Sequence, residues 1–183
     1  MKSLLICLPL VLLTPATARS VSKAPAPRSD LQASCPLRGG SSGTQASDVE
    51  RVPTVEYKEL LRDPGSFDKK VIRVNGFIIS SFELVALYDP DKYPERPSMT
   101  WVDFGEKYRI STRKELVEAL DSLLFPREPI EEGQAKVTAI GLFEVSADFN
   151  DDPKNFKPGF GHMGMYKYRL TVKCVERVEA MKN

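Results

Sequence analysis

The sequence predicts a mainly β fold with one prominent helix, and three observations lead to this prediction. Five segments between residues 69 and 178 have the alternating apolar pattern or the β-branched and aromatic composition of strands. Residues 112–124 instead repeat leucine at helical spacing, and prolines follow them. The order of strand, strand, strand, helix, strand, strand suits one small β domain, with an α+β open sheet as the alternative.

The folded region begins with a short predicted helix and a long predicted strand. Thr54 is a candidate N-cap, and the helix is predicted over residues 55–62. The strand is predicted over residues 69–82, where apolar side chains alternate and, from Phe77 onward, occupy both faces. Gly76 marks a place where this strand could bend sharply or let another backbone approach.

The main predicted helix and four further strands complete the domain. The helix begins with Thr112-Arg113-Lys114-Glu115, which matches a capping box, and it ends before Pro126. The four strands are predicted at residues 84–88, 99–104, 134–145 and 166–178.

Composition divides the chain into three parts. Residues 1–18 are a predicted signal peptide, residues 19–50 a flexible tail rich in Ser, Ala, Pro and Gly, and residues 51–183 the folded domain. The whole chain carries 26 basic and 25 acidic residues, a formal net charge of +1. This near-balance counts against a nucleic-acid partner, because such binding draws on neutralisation of phosphates.

The signal peptide is predicted from the first residues of the chain. Lys2 precedes an apolar run at residues 4–13, and small residues follow up to Ala18, where cleavage is expected. The run is about half of the ~20 residues that span a bilayer, and no other stretch is sufficiently apolar. We therefore expect a protein with no transmembrane segment that is exported to the periplasm or secreted.

Two of the three cysteines remain after this cleavage, in an oxidising compartment. A disulfide between Cys35 and Cys174 would tie the tail to the last strand. The alternative is that Cys174 is a small buried hydrophobic residue, since it has the same strand parity as Leu170 and Val172.

The element order and two sequence segments carry a resemblance to a known fold. The segments are Tyr57-Lys58-Glu59-Leu60-Leu61 and Lys69-Lys70-Val71-Ile72-Arg73-Val74-Asn75-Gly76. Over residues 54–178 the chain resembles exported bacterial proteins of the oligonucleotide/oligosaccharide-binding (OB) fold, of uncharacterised function. The resemblance implies a five-stranded Greek-key barrel with a helix between strands three and four, preceded here by the short N-terminal helix. It also implies a ligand site across strands two and three, flanked by the loops that join strands one to two and four to five.

Four strand residues are candidates for binding a ligand on that face. Trp101 and Asp103 share one face of the third strand, and Trp101 could stack on a base or sugar if Val102 points inward. The alternative is reversed parity, with Trp101 in the core. Arg73 and Phe77 of the first strand have the parity to lie nearby.

The loop predicted over residues 146–165 contributes three more candidates: Gly161, His162 and Gly164. Three glycines within residues 159–164 let the backbone adopt positive φ and expose its N–H groups. His162 is the only histidine, and it could donate a hydrogen bond, transfer a proton or respond to mild acid. The alternative is that these residues only shape a tight turn.

The same loop carries a weak calcium candidate. Asp148, Asn150 and Asp152 offer alternating oxygen ligands, but the segment lacks the central glycine and closing glutamate of an EF-hand. A solvated turn is the favoured interpretation. We therefore expect no metal and no cofactor.

The leading functional hypothesis is an exported, non-enzymatic binding module of the cell envelope. Its partner would be a small molecule, a glycan or an envelope protein. We expect no catalytic residues, since no Gly-x-Ser-x-Gly motif and no recognised Cys/His spacing occurs. The alternatives are single-stranded nucleic-acid binding, and a hydrolase using His162 with Asp148 or Asp151.

Overall fold

The chain folds into a mainly β domain, as the sequence predicts. The structure is a computed structural model that describes residues 31–32, 35, 52–81, 83–106, 108–125 and 132–181, so the predicted signal peptide lies outside the described residues. The strands are β1 (Leu31–Gln32), β2 (Thr54–Glu56), β3 (Lys70–Ser81), β4 (Leu84–Tyr88), β5 (Thr100–Phe104), β6 (Gly133–Val145) and β7 (Tyr168–Ala180). The α-helices are α1 (Tyr57–Leu60), α2 (Tyr108–Ser111) and α3 (Lys114–Leu124).

Five strands form a closed ring of hydrogen-bonded neighbours. The pairs β3–β4, β4–β5, β3–β6 and β6–β7 are antiparallel, and the β5–β7 pair is parallel. The β3–β6 ladder is long and runs from the Lys70–Phe143 pair to the Ser80–Gly133 pair. The seven described strands therefore belong to one mixed sheet.

The main hydrophobic core lies on one face of the sheet, and alternate residues of the strands point into it. Ile72 and Val74 of β3 and Phe143 of β6 are fully buried there. Helix α3 packs against β6 and β7 and adds Leu116 and Leu120 to the same core. The two-residue period of the strands and the helical leucine period are therefore explained by one shared interior.

The first helix is shorter than predicted, and the expected N-cap role of Thr54 is wrong. Thr54 begins β2, which pairs in parallel with β3 opposite Arg73. The β-branched Val55 is buried in this strand, and the helix begins only at Tyr57. A β-branched residue suits a pleated, half-buried position, so sheet pairing displaces the first helical turn here.

The predicted capping box at Thr112 is also wrong. Arg113 is the N-cap of α3, and no side chain caps that helix. The Thr112 hydroxyl oxygen instead accepts a hydrogen bond from the Val175 backbone N–H at 3.0 Å. The β6–β7 register shifts nearby, between Thr138 and Ala139. Because a buried N–H needs a partner where a ladder is irregular, the threonine serves β7 rather than its own helix.

The described residues of the predicted tail are attached to β7. Strand β1 pairs antiparallel with the C-terminal part of β7. Cys35 and Cys174 form a disulfide with their Cα atoms 6.0 Å apart. Both cysteines are buried and pack with Ile140 in a small cluster outside the main core. The disulfide and the short ladder thus join this segment to the last strand.

Two buried tyrosines differ in how their hydroxyl groups are satisfied. The Tyr57 hydroxyl lies 2.8 Å from the Ser98 carbonyl oxygen, 3.1 Å from the Leu87 carbonyl oxygen and 3.0 Å from Thr100 Oγ1. Tyr108 is equally buried, but its hydroxyl has no hydrogen-bond partner among the described residues. Burial raises the pKa of both phenols, that of Tyr108 from 10.0 to about 12.

We expect Tyr57→Phe to lower the free energy of unfolding by about 1–3 kcal/mol, because buried polar groups lose their partner. Tyr108→Phe is the matched control and should not lower the free energy of unfolding, since no hydrogen bond to a described residue is lost and a buried hydroxyl without a partner is removed. Urea unfolding of both variants measures the difference. Equal losses of unfolding free energy in the two variants would contradict a stabilising role for the hydrogen bonds of Tyr57.

Ionisation of Tyr108 at alkaline pH is expected to lower the free energy of unfolding. Its folded-state pKa lies above its unfolded-state value, so the unfolded chain releases the phenolic proton first as pH rises. The contribution of Tyr108 to the free energy of unfolding is therefore complete below about pH 10 and decreases as the pH rises toward about 12. Tyr108→Phe should flatten part of this alkaline decrease.

Candidate functional site

A second hydrophobic cluster lies on the opposite face of β3, β4 and β5 from the main core. Along β3, Ile78 belongs to the main core and the adjacent Phe77 and Ile79 to this outer cluster. Residues 146–167, between β6 and β7, supply the side chains that cover it; we call them the covering loop. The outer cluster comprises Phe77, Ile79, Leu84, Ala86, Tyr88, Tyr93, Met99, Trp101, Phe160, Met165 and Tyr166.

Glycines shape the covering loop where it crosses β5. The loop is closed by a bridge between Phe160 and Tyr166, and the Gly159 N–H donates to the Gly164 carbonyl oxygen at 2.7 Å. Gly161 has φ +70°, and a Cβ atom placed on it would lie 2.8 Å from Cγ of Trp101. Only glycine combines this backbone conformation with such a close approach to an indole ring.

Trp101 lies on the outer face and Val102 on the inner face of β5, so the reversed parity does not occur. The indole ring is not open to a stacking ligand, however. It packs beneath Gly161, and its centroid is 5.5 Å from that of Tyr166. In this arrangement the protein's own loop occupies that surface, so the stacking of a base or sugar on Trp101 stays a prediction.

The other strand candidates do not converge on Trp101. Arg73 is held by Glu176, with Nε to Oε2 at 2.7 Å and Nη2 to Oε1 at 3.2 Å. Phe77 lies in the outer cluster beside Tyr88 and lines a separate cleft of about 200 Å³. Asp103 is exposed. The structure therefore brings Phe77 and Trp101 into one cluster and gives Arg73 a different partner.

His162 lines a pocket at which three loops meet. Glu83 comes from the β3–β4 turn, Tyr93 and Arg96 from the segment before β5, and Met165 and His162 from the covering loop. The pocket has a volume of about 270 Å³. We call it the His162 pocket. Gly161 and Gly164, with φ +70° and +68°, shape the tight turn on which His162 lies.

The polar contacts of the pocket link different loops. His162 Nε2 lies 3.3 Å from Glu83 Oε2, and both side chains are about half exposed. Arg96 Nη1 donates to Met165 Sδ at 3.3 Å. The acidic partner of His162 is therefore Glu83, a residue that the sequence reasoning did not select.

A larger cleft of about 410 Å³ adjoins the His162 pocket. Arg96 and Met165 line both spaces, while Phe149, Phe156 and Lys167 line only the cleft. Because Phe156 does not line the His162 pocket, a substitution at Phe156 changes the cleft and leaves the lining of the pocket as it is.

The residues of the calcium candidate make local turn contacts. Asn150 Oδ1 accepts from the Asp152 backbone N–H at 3.0 Å, and Asp152 Oδ1 accepts from the Lys154 backbone N–H at 2.9 Å. These are the hydrogen bonds of Asx turns. Within the described ranges, no group of three or more His, Cys, Asp or Glu residues is placed to hold a metal ion.

Comparisons with protein-family models, with curated proteins and with solved structures found no match for this chain. In the part of the chain that the structure describes, no helix combines the length and the apolar character needed to cross a membrane. The geometry of the His162 pocket and the outer cluster is thus the basis for a functional conclusion.

Proposed function

We propose that the protein is an exported, non-enzymatic binding module of the OB fold whose ligand site is the His162 pocket. The observation that carries this proposal is the position of the pocket, between the β3–β4 turn and the covering loop. These connections correspond to the two loops that flank the ligand site in the OB fold, when β3 is counted as the first strand.

The order of strands supports the assignment to the OB fold. Counted from β3, the ring runs first, second, third, fifth, fourth and back to the first strand. Helix α3 lies between the third and fourth of these strands, as the resemblance implies. Strands β1 and β2 are additions at the N-terminal side of this ring.

The chemistry of the pocket suits binding. Apolar walls from Met99 and Tyr166 accompany the polar groups of His162, Glu83 and Arg96, a combination typical of small-ligand sites. The contact between His162 and Glu83 is half exposed to water. A solvated pair is better suited to hydrogen bonding with a ligand than to proton transfer in a water-excluded site.

Trp101 provides a built-in reporter for a test of this proposal. It is the only tryptophan in the chain and packs against Tyr166, a wall of the pocket. We expect one class in a panel of glycans, peptides and nucleotides to change its fluorescence. His162→Ala should lower the affinity for that ligand by about tenfold or more, which is the effect of losing a hydrogen bond to a polar partner.

Phe156→Ala is the matched control for this titration, because Phe156 lines only the adjoining cleft. It should leave the affinity unchanged. Equal affinities of the parent protein and His162→Ala for every ligand that changes the fluorescence would refute the proposal.

A further inference from the structure

We propose that the His162 pocket binds a soft monovalent metal ion, Cu(I) or Ag(I), through the imidazole of His162 and the thioethers of Met99 and Met165. This inference rests on the proposed function, because it names a ligand class for the same pocket. It also goes beyond the sequence-based expectation that no metal is bound.

The pocket collects soft, uncharged donor atoms. The chain has one histidine and five methionines, and the histidine and two of the methionines line this one pocket. Met99 precedes β5, whereas His162 and Met165 lie in the covering loop, so folding brings the three together. Thioether and imidazole are donors that suit Cu(I), while hard cations prefer carboxylate and water oxygens.

A carboxylate orients the imidazole ring of His162. His162 Nε2 faces the Glu83 carboxylate at 3.3 Å. An Nε2–H that donates to this carboxylate leaves the lone pair on Nδ1, the form of histidine that binds a metal. Metal-binding histidines characteristically donate their other ring N–H to such a carboxylate.

The charged side chains of the pocket balance each other. Glu83 and Arg96 have opposite formal charges, so the ionised side chains of the lining cancel when His162 is neutral. A formally neutral pocket with uncharged soft donors gives no Coulombic preference to a divalent ion. Arg96 is exposed and donates to Met165 Sδ. Because a thioether sulfur has two lone pairs, one remains for a metal ion.

Met163 provides an internal contrast. It lies between His162 and Met165 in the chain, yet its side chain is 73% exposed and does not line the pocket. Methionine often serves only to fill gaps in an apolar cluster. If the pocket methionines did no more than this, replacing Met165 by leucine would have no larger effect on metal binding than the same change at Met163.

The test is a calorimetric titration of the disulfide-bonded protein with Ag⁺, in a buffer without chloride. We expect one Ag⁺ to bind at the pocket. Met165→Leu and His162→Asn should each weaken it by about tenfold or more, and Glu83→Gln by about 10- to 100-fold. Met163→Leu is the control and should stay within about twofold of the parent protein. Thermal melts establish that each variant is folded, and the exposed Glu83 gives a variant that does not alter the core.

Separate arms distinguish the chemistry of the ion. Cu(I) kept reduced should bind at the same site as Ag⁺, and Zn²⁺ should bind more weakly than either. Zn²⁺ binding tighter than Ag⁺, or equal Ag⁺ affinities in Met165→Leu and Met163→Leu, would overturn the inference. If Ag⁺ does not bind but an organic ligand changes Trp101 fluorescence, the metal inference fails and the proposed function stands. If neither produces a response, both fail.

Discussion

Replacing Cys35 and Cys174 together by alanine is expected to lower the free energy of unfolding by about 4–5 kcal/mol. The two cysteines are 139 residues apart in the sequence, so their bond closes nearly the whole folded chain into one loop. The cost of closing a loop grows with its length, and the cross-link removes that cost from the folding reaction. Guanidinium unfolding of the double variant and the parent protein measures the difference.

Alanine avoids placing a hydroxyl group in the apolar cluster around Ile140. Reduction of the parent protein should reproduce the loss of stability, and the same reductant should leave the double variant unchanged. A difference below about 1 kcal/mol, well short of the loop-entropy expectation, would show that pairing of β1 with β7 already holds this segment.

Glu176→Gln is expected to lower the free energy of unfolding by about 2–3 kcal/mol. The side chains of Arg73 and Glu176 are only 20% and 11% exposed and meet through two hydrogen bonds. Neutralising the carboxylate removes the charge of Glu176 that faces a mostly buried guanidinium, and breaking such a pair costs about 3–5 kcal/mol when burial is complete. The Val52 carbonyl oxygen, 3.3 Å from Arg73 Nη1, remains as a partial substitute.

The matched control is Glu118→Gln, which removes a carboxylate from the exposed pair with Lys114. That pair should contribute less than about 0.5 kcal/mol. A second comparison, Arg73→Met with Glu176→Leu, should recover much of the loss, because a buried ion pair can be replaced by apolar side chains. Equal losses in Glu176→Gln and Glu118→Gln by urea unfolding would rule out a structural role for the buried pair.

The strands could be predicted from the sequence because alternation is a local property. The predicted strand at residues 84–88 coincides with β4, and the predicted strand at 134–145 differs from β6 by one residue. The helix over 112–124 likewise follows from its leucine spacing. In each case the side chains that make the pattern are those that the main core or the outer cluster buries.

The errors arise where a distant strand decides the local structure. Tyr57, Leu60 and Leu61 fit one face of a helix that could begin at Val55, but parallel pairing with β3 makes residues 54–56 a strand. Thr112 has the spacing of a capping residue, but the Val175 N–H of β7 claims its hydroxyl oxygen. Neither partner is adjacent in sequence, so no local pattern indicates it.

The candidate site could be predicted in part. The glycine spacing indicates the segment around His162, but Glu83 and Met99 are single residues in two other connections, and only folding brings them to it. One available signal was the apolar pattern on both faces of β3 from Phe77 onward. A strand that is apolar on both faces needs a cover on its outer side, and residues 146–167 supply it.

The two clusters lie on opposite faces of β3, β4 and β5, so an opening of the covering loop is separate from the unfolding of the main core. Lifting the covering loop exposes the outer cluster around Trp101 and leaves the interior around Phe143 intact. Such partial opening costs less free energy than global unfolding, so the backbone amides of the loop exchange with solvent independently of those in the β3–β6 ladder. The covering loop can therefore open and close while the strands of the main core stay folded.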